Sequence, residues 1–153
     1  MRISAKADYA VRAAAELAAA WPKGRPVKGE QLAAAQGIPP RFLENILSDL
    51  RNAGLLQTRR GAEGGYSLTR AASEISVAEV LRAVEGPLAA VQGSRPEALH
   101  YQGAAARLPE VWVALRANLR AVLERVSLAD LAAGTLPASV ARLTTTADAW
   151  QPH

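Results

Sequence analysis

The run from Gly37 to Gly54, GIPPRFLENILSDLRNAG, constrains this chain more than any other segment. Pro40 suits the first position of a helix, where its missing N–H had no partner to lose. Gly54 suits the exit. Between them Leu43, Ile46, Leu47 and Leu50 are spaced three and four apart, so they share one helical face. Arg41, Glu44, Asn45, Ser48, Arg51 and Asn52 recur at helical spacing on the other side. A helix anchored on one face and carrying guanidinium, carboxamide and hydroxyl groups on the other has what is needed to reach base edges in a major groove and the phosphates beside it.

The neighbouring segments fit a known order. Ser4 is an N-cap candidate for an alanine-rich helix running to Trp21. The stretch Pro22–Pro26 breaks it, and a weakly capped helix follows over Gly29–Gln36, with Leu32 and Ala33 inward. After the helix of the first paragraph, Leu55–Arg60 and Tyr66–Thr69 flank the turn Gly61–Gly65 and predict a β-hairpin. Ser76 and Glu79 form a capping box that opens a helix over Val77–Val84, stopped by Gly86 and Pro87. The order helix, helix, turn, helix, hairpin is that of a winged helix-turn-helix, whose third helix enters the major groove. Its wing here would carry Arg59 and Arg60, suited to a narrow, electronegative minor groove.

Residues 88–107 show no clear periodicity and predict a loop. A long helix is expected from about Pro109 to about Val126. Within it Trp112, Leu115, Leu119, Val122 and Val126 are separated by 3, 4, 3 and 4 residues. Such a seam, bounded by Arg116, Arg120, Glu124 and Arg125, asks for a partner helix. Ser127 and Asp130 resemble a second capping box, opening a short helix that Gly134 ends. The expected organisation is a winged helix-turn-helix domain over 1–87, a loop over 88–107, a dimerisation helix and short helix over 108–134, and a partly disordered tail over 135–153. The fold class is mainly α, with a small hairpin wing and a long C-terminal dimerisation helix.

Charge agrees with a polyanionic partner. Of 18 basic and 14 acidic residues, 11 and 7 fall at or before residue 75 and 7 of each after it, so the whole excess lies with the expected reading head. The chain has no cysteine, which excludes disulfides, thiolate metal sites, catalytic cysteine and cysteine-held iron–sulfur clusters. No apolar run approaches the ~20 residues of a membrane span, and the first residues lack the apolar core of a secretory signal; a cytoplasmic protein with no membrane partner is expected. Gly61–Gly65 lacks the Lys-Ser/Thr of a phosphate-binding loop. With no nucleophile–base pair and only two histidines, His100 and His153, no enzyme is expected.

Several motifs together resemble the Rrf-2 family of bacterial transcription regulators. They are MRISAKADYAVR at residues 1–12, QGIPP at 36–40 with Phe42-Leu43-Glu44, LSDLR at 47–51 with Ala53-Gly54-Leu55, and Arg60-Gly61 with Gly64-Gly65-Tyr66. The likeness is close through Pro87 and looser along the long helix. It implies a sequence-specific DNA-binding transcription regulator, usually a repressor, acting as a homodimer on a palindromic operator in double-stranded DNA. By matched positions Arg41, Glu44, Asn45 and Ser48 would face the major groove, and Arg60, beside Arg59, would enter the minor groove. Lys6, Tyr9 and Arg51 would contact phosphates. The long helix would cross its two-fold mate through the seam of Trp112, Leu115, Leu119, Val122 and Val126.

Many relatives carry three cysteines after the fourth helix, and these hold a cluster; the corresponding stretch here, 91–107, has none. Asp8 and His100 supply too few ligands for a metal. The expectation is therefore no iron–sulfur cluster, no metal, and no identified cofactor. Any effector would be a small organic molecule, for which Leu99, His100, Tyr101 and Trp112 are the candidate pocket; the bland alternative makes the apolar ones dimer-interface core. The rival function is a protein-interaction module that uses its winged helix and seam without DNA, but such a module would not need Arg41, Arg51, Arg59 and Arg60 together.

Overall fold

The structure is a computed structural model that describes residues 2–152. Met1 and His153, which figured in the motifs and the histidine count above, lie outside the described residues.

The first helix, α1 (Ala5–Ala20), starts where the Ser4 hydroxyl accepts a hydrogen bond from the Ala7 N–H at 3.0 Å. Its alanines set the architecture. Ala10, Ala13 and Ala14 are buried, and their small side chains let other elements pack closely against this one helix. Helix α2 (Gly29–Gln36) and helix α3 (Pro40–Asn52) follow. Leu43, Ile46, Leu47 and Leu50 of α3 are at most 1 % exposed, the face expected from their spacing. Each such burial contributes about 1.5–3 kcal/mol, so α3 is held firmly with its polar side outward.

The hairpin consists of β1 (Leu56–Arg59) and β2 (Gly65–Leu68), paired antiparallel from Leu56↔Leu68 to Arg59↔Gly65. The segment before α2, read above only as a helix breaker, adds a partner to this wing. Val27 and Tyr66 exchange both backbone hydrogen bonds at 2.8 Å. This contact explains two glycines. At Gly65, φ is +147° and a Cβ would lie 2.5 Å from the Val27 carbonyl oxygen, and at Gly64 a Cβ would collide with the Arg59 carbonyl. Close approach within the protein constrains these positions.

Helix α4 (Val77–Glu85) opens with the expected capping box of Ser76 and Glu79, and α6 (Leu128–Ala133) with that of Ser127 and Asp130. The two caps sit side by side in an antiparallel bridge, flanked by hydrogen bonds of 2.9 Å from Val77 N–H to Val126 and from Leu128 N–H to Ile75. Helix α6 thereby packs along α1, and Leu128 is fully buried in the main core. The short helix expected to travel with the dimerisation helix thus shares the core built by α1 to α4.

Helix α5 (Leu108–Leu123) ends three residues before the expected Val126. The seam reading of Val126 is corrected here: it is 6 % exposed and packs with Val77 and Val140 of its own chain. Val140 belongs to α7 (Ala138–Ala141), a short helix within the tail expected to be partly disordered, and it packs in this second cluster. None of α5's own residues is buried. The loop between α4 and α5 holds two 3₁₀ turns, Pro96–Ala98 and Gly103–Ala105. No helix among the described residues is long and apolar enough to cross a membrane.

Candidate nucleic-acid interface

The polar face of α3 stands open. Arg41, Glu44, Asn45 and Arg51 are exposed, and Ser48 is half-buried. Arg59 ends β1 and Arg60 begins the wing tip, both exposed. The guanidinium groups of Arg41, Arg51, Arg59 and Arg60 make no ion pair or hydrogen bond among the described residues, so their full donor sets face solvent. Keeping exposed guanidinium groups unpaired costs little in water, and leaves them able to take phosphate or a base edge bidentately.

Lys6 and Tyr9 are placed differently. The Lys6 ammonium pairs with Asp49 of α3 at 2.7 Å. The Tyr9 ring meets Phe42 edge to face, 5.6 Å between centroids and 88° between planes, while the Arg12 guanidinium lies 5.2 Å from the Tyr9 centroid. Arg12 in turn pairs with Asp8 at 3.1 Å and hydrogen-bonds Gln36. These side chains brace α1 against α3 and the end of α2. Phe42, 43 % exposed at the start of α3, stands beside the predicted residues as a large apolar surface to which its place in the sequence assigned no role.

A basic rim escaped the sequence reading altogether. Arg25, Lys28 and Gln31 share one cavity of about 340 Å³ with Arg59 of the wing. The charges of Lys23, Arg25 and Lys28 were visible in the sequence, but only the Val27–Tyr66 pairing brings that stretch to the wing.

Of the seam, Trp112, Leu115, Leu119 and Val122 are half-buried, and Val111 and Val113 beside them are exposed, 55 % and 37 %. Val122 leans on the Val126 cluster of its own chain, whereas Trp112, Leu115 and Leu119 join neither buried cluster. The candidate effector residues lie on the loop after α4 and on α5. His100 is exposed, its Nδ1 3.2 Å from the Ala98 carbonyl, and Leu99, Tyr101 and Trp112 are half-buried. A cavity that opens between this loop and α5 is lined by Arg82, Arg95, Glu97, Arg116 and Arg120.

A metal fares no better on the donors present. No cysteine exists in the chain, Asp8 is taken by Arg12, and no group of three His, Asp or Glu side chains converges among the described residues. These residues do not fit an iron–sulfur cluster.

Over residues 3–134 the sequence matches the family described as Rrf2, iron-dependent transcriptional regulator. The chain belongs to the Rrf2 family. A candidate HTH-type transcriptional regulator of Mycobacterium tuberculosis is 54 % identical over 143 residues, covering 94 % of this chain and 88 % of that one. Among solved structures, the global cysteine regulator CymR of B. subtilis superposes with a TM-score of 0.74 at 33 % identity, covering 88 % of this chain and 98 % of that chain. The T. potens IscR structure gives a TM-score of 0.71 at 30 % identity, with 88 % of each chain covered. The winged helix-turn-helix expected from the sequence is thus the fold of this Rrf2 member, and transcriptional regulation is its function class. The iron in the family's description finds no cysteine here.

Proposed function

We propose that this Rrf2 regulator binds a palindromic operator in duplex DNA as a homodimer in the cytoplasm and represses transcription there, with no catalytic step. The observation that carries the reading is the set of unpaired, exposed guanidinium groups on α3 and the wing, set on a helix whose opposite face is fully buried. In this reading Arg41, Asn45 and Ser48 read base edges in the major groove. Glu44 accepts from a cytosine amino group and repels phosphate, which sharpens sequence choice at a cost in affinity. Phe42 packs against a thymine methyl. Arg60 enters the minor groove and Arg59, Arg51, Arg25 and Lys28 hold phosphates.

Dimerisation supplies what one head lacks. A single small module buries little surface on DNA, and two heads joined rigidly combine through effective concentration. Helix α5, a 16-residue apolar helix that buries no residue of its own, supports a second copy as its cover. Iron is no part of the reading.

Titrating a fluorescent duplex with the full chain at several salt concentrations tests it. Neutralised phosphates release counterions, so affinity should fall ~10³–10⁵-fold between 50 and 200 mM salt if about 6–10 phosphates are held. A flat response would favour the protein-interaction module.

A further inference from the structure

We propose that the cleft between α4, the loop after it and α5 binds a small polyanion, a metabolite carrying two or more carboxylate or phosphate groups. Arg82 comes from the last turn of α4, Arg95 from the loop, and Arg116 and Arg120 from successive turns of α5; with Leu88 and Glu97 they line one cavity of about 570 Å³. That volume falls in the range of small-molecule sites. Glu124 accepts hydrogen bonds from both Arg82 and, at 3.0 Å, Arg120, and Glu97 accepts from Arg116 at 2.6 Å. Arg95 makes no direct ion pair, though its charge acts on Glu97. Four guanidinium groups against two carboxylates leave two positive charges in the cleft.

Both carboxylates stay ionised near neutrality. Hydrogen bonds from Arg82 and Arg120 hold Glu124 below its ordinary range, and a backbone hydrogen bond followed by Arg116 does the same for Glu97. The excess of positive charge therefore persists at physiological pH. Guanidinium pairs of this kind take carboxylate or phosphate bidentately, and the exposed glutamates can yield to a better acceptor.

A plain surface ion-pair network would not need a shaped wall, and this cleft has one. Among the described residues the only non-glycine positions with positive φ are Ala89 at +54° and Gln92 at +51°, both in the loop that forms the wall. Such backbone persists where its surroundings over-determine it, and it gathers at ligand sites. Buried Pro96 fixes the loop beside Arg95, and a Val91–Ser94 bridge closes its turn. The cleft also joins two parts of the molecule. Helix α4 packs on α1 and α3, whereas α5 is, in the reading proposed above, the arm that meets a second copy. A bound anion would tie the reading head to that arm, and this coupling rests on the DNA-binding reading above.

Calorimetric titration of the full chain with citrate and with pyrophosphate tests the site and separates carboxylate from phosphate chemistry. Arg95→Gln is the test variant, because Arg95 is exposed and its guanidinium makes no ion pair or hydrogen bond within the chain, so its loss leaves the core intact. Arg60→Ala is the control for anions held on the DNA face. At least one probe should bind, Arg95→Gln should weaken it roughly tenfold or more, and Arg60→Ala should leave it unchanged. At saturation the probe should alter duplex affinity of the wild type by about fivefold or more, but not that of Arg95→Gln. No binding of either probe at millimolar concentration overturns the site, as does binding lost in Arg60→Ala and kept in Arg95→Gln. Binding through Arg95 with unmoved duplex affinity overturns the coupling. Duplex binding without any probe reports on the DNA reading separately.

Discussion

The ammonium of Lys6 lies 2.7 Å from the Asp49 carboxylate, tying the start of α1 to α3. A phosphate approaching Lys6 must compete with that carboxylate. The pair is partly exposed, so it contributes about 0–1 kcal/mol to stability.

Asp49→Asn should therefore free Lys6 for DNA at little structural cost. The expected result is tighter duplex binding with a salt dependence steeper by about one phosphate contact, and a melting temperature nearly unchanged. An unaltered salt slope would leave Lys6 as a brace only.

Gly65→Ala should damage the wing from inside. Its φ of +147° and the 2.5 Å approach to the Val27 carbonyl oxygen leave no room for a methyl group. A loss of about 1–3 kcal/mol is expected in chemical denaturation, together with weaker DNA binding, because the Val27–Tyr66 pairing sets the wing's position. Full stability in the variant would contradict the described register.

Arg60→Ala should leave folding untouched, since Arg60 is exposed and unpaired. Duplex affinity should fall by about 1–3 kcal/mol if Arg60 reads a groove, with discrimination lost at the positions under the wing. Fluorescence anisotropy on matched and mismatched duplexes decides this; equal affinity of variant and wild type would remove Arg60 from the interface.

Leu119→Glu places a charge on the uncovered side of the arm. Leu119 joins neither buried cluster of its chain, so the head should keep its fold by circular dichroism. Sedimentation velocity should show monomers, and operator affinity should drop with them. Intact dimers would move the dimer contact away from Leu119.

What was legible follows from the range of the interactions. The face of α3 and the caps at Ser4, Ser76 and Ser127 rest on contacts within one or two helical turns, and the structure repeats them residue by residue. Val126 misled because its spacing continues the seam, whereas a long-range hydrogen bond from the Val77 N–H turns the chain there. The pairing of Val27 with Tyr66, and so the basic rim beside Arg59, joins residues far apart in sequence. The same holds for the cleft of Arg82, Arg95, Arg116 and Arg120. For α7 the sequence offers Pro137 as an entry and little else; its order comes from Val140 against Val126.

Reading of one duplex by two copies of α3 is the central claim. Selection of binding sites from a random duplex pool by the full chain measures it most directly, because no operator sequence has to be assumed. The predicted result is a single enriched palindrome, its half-sites about one helical turn or a multiple of it apart, bound at least ~10³-fold more tightly than unselected DNA. A pool that yields no enriched motif, or an unpaired motif bound by a monomer, would contradict the claim.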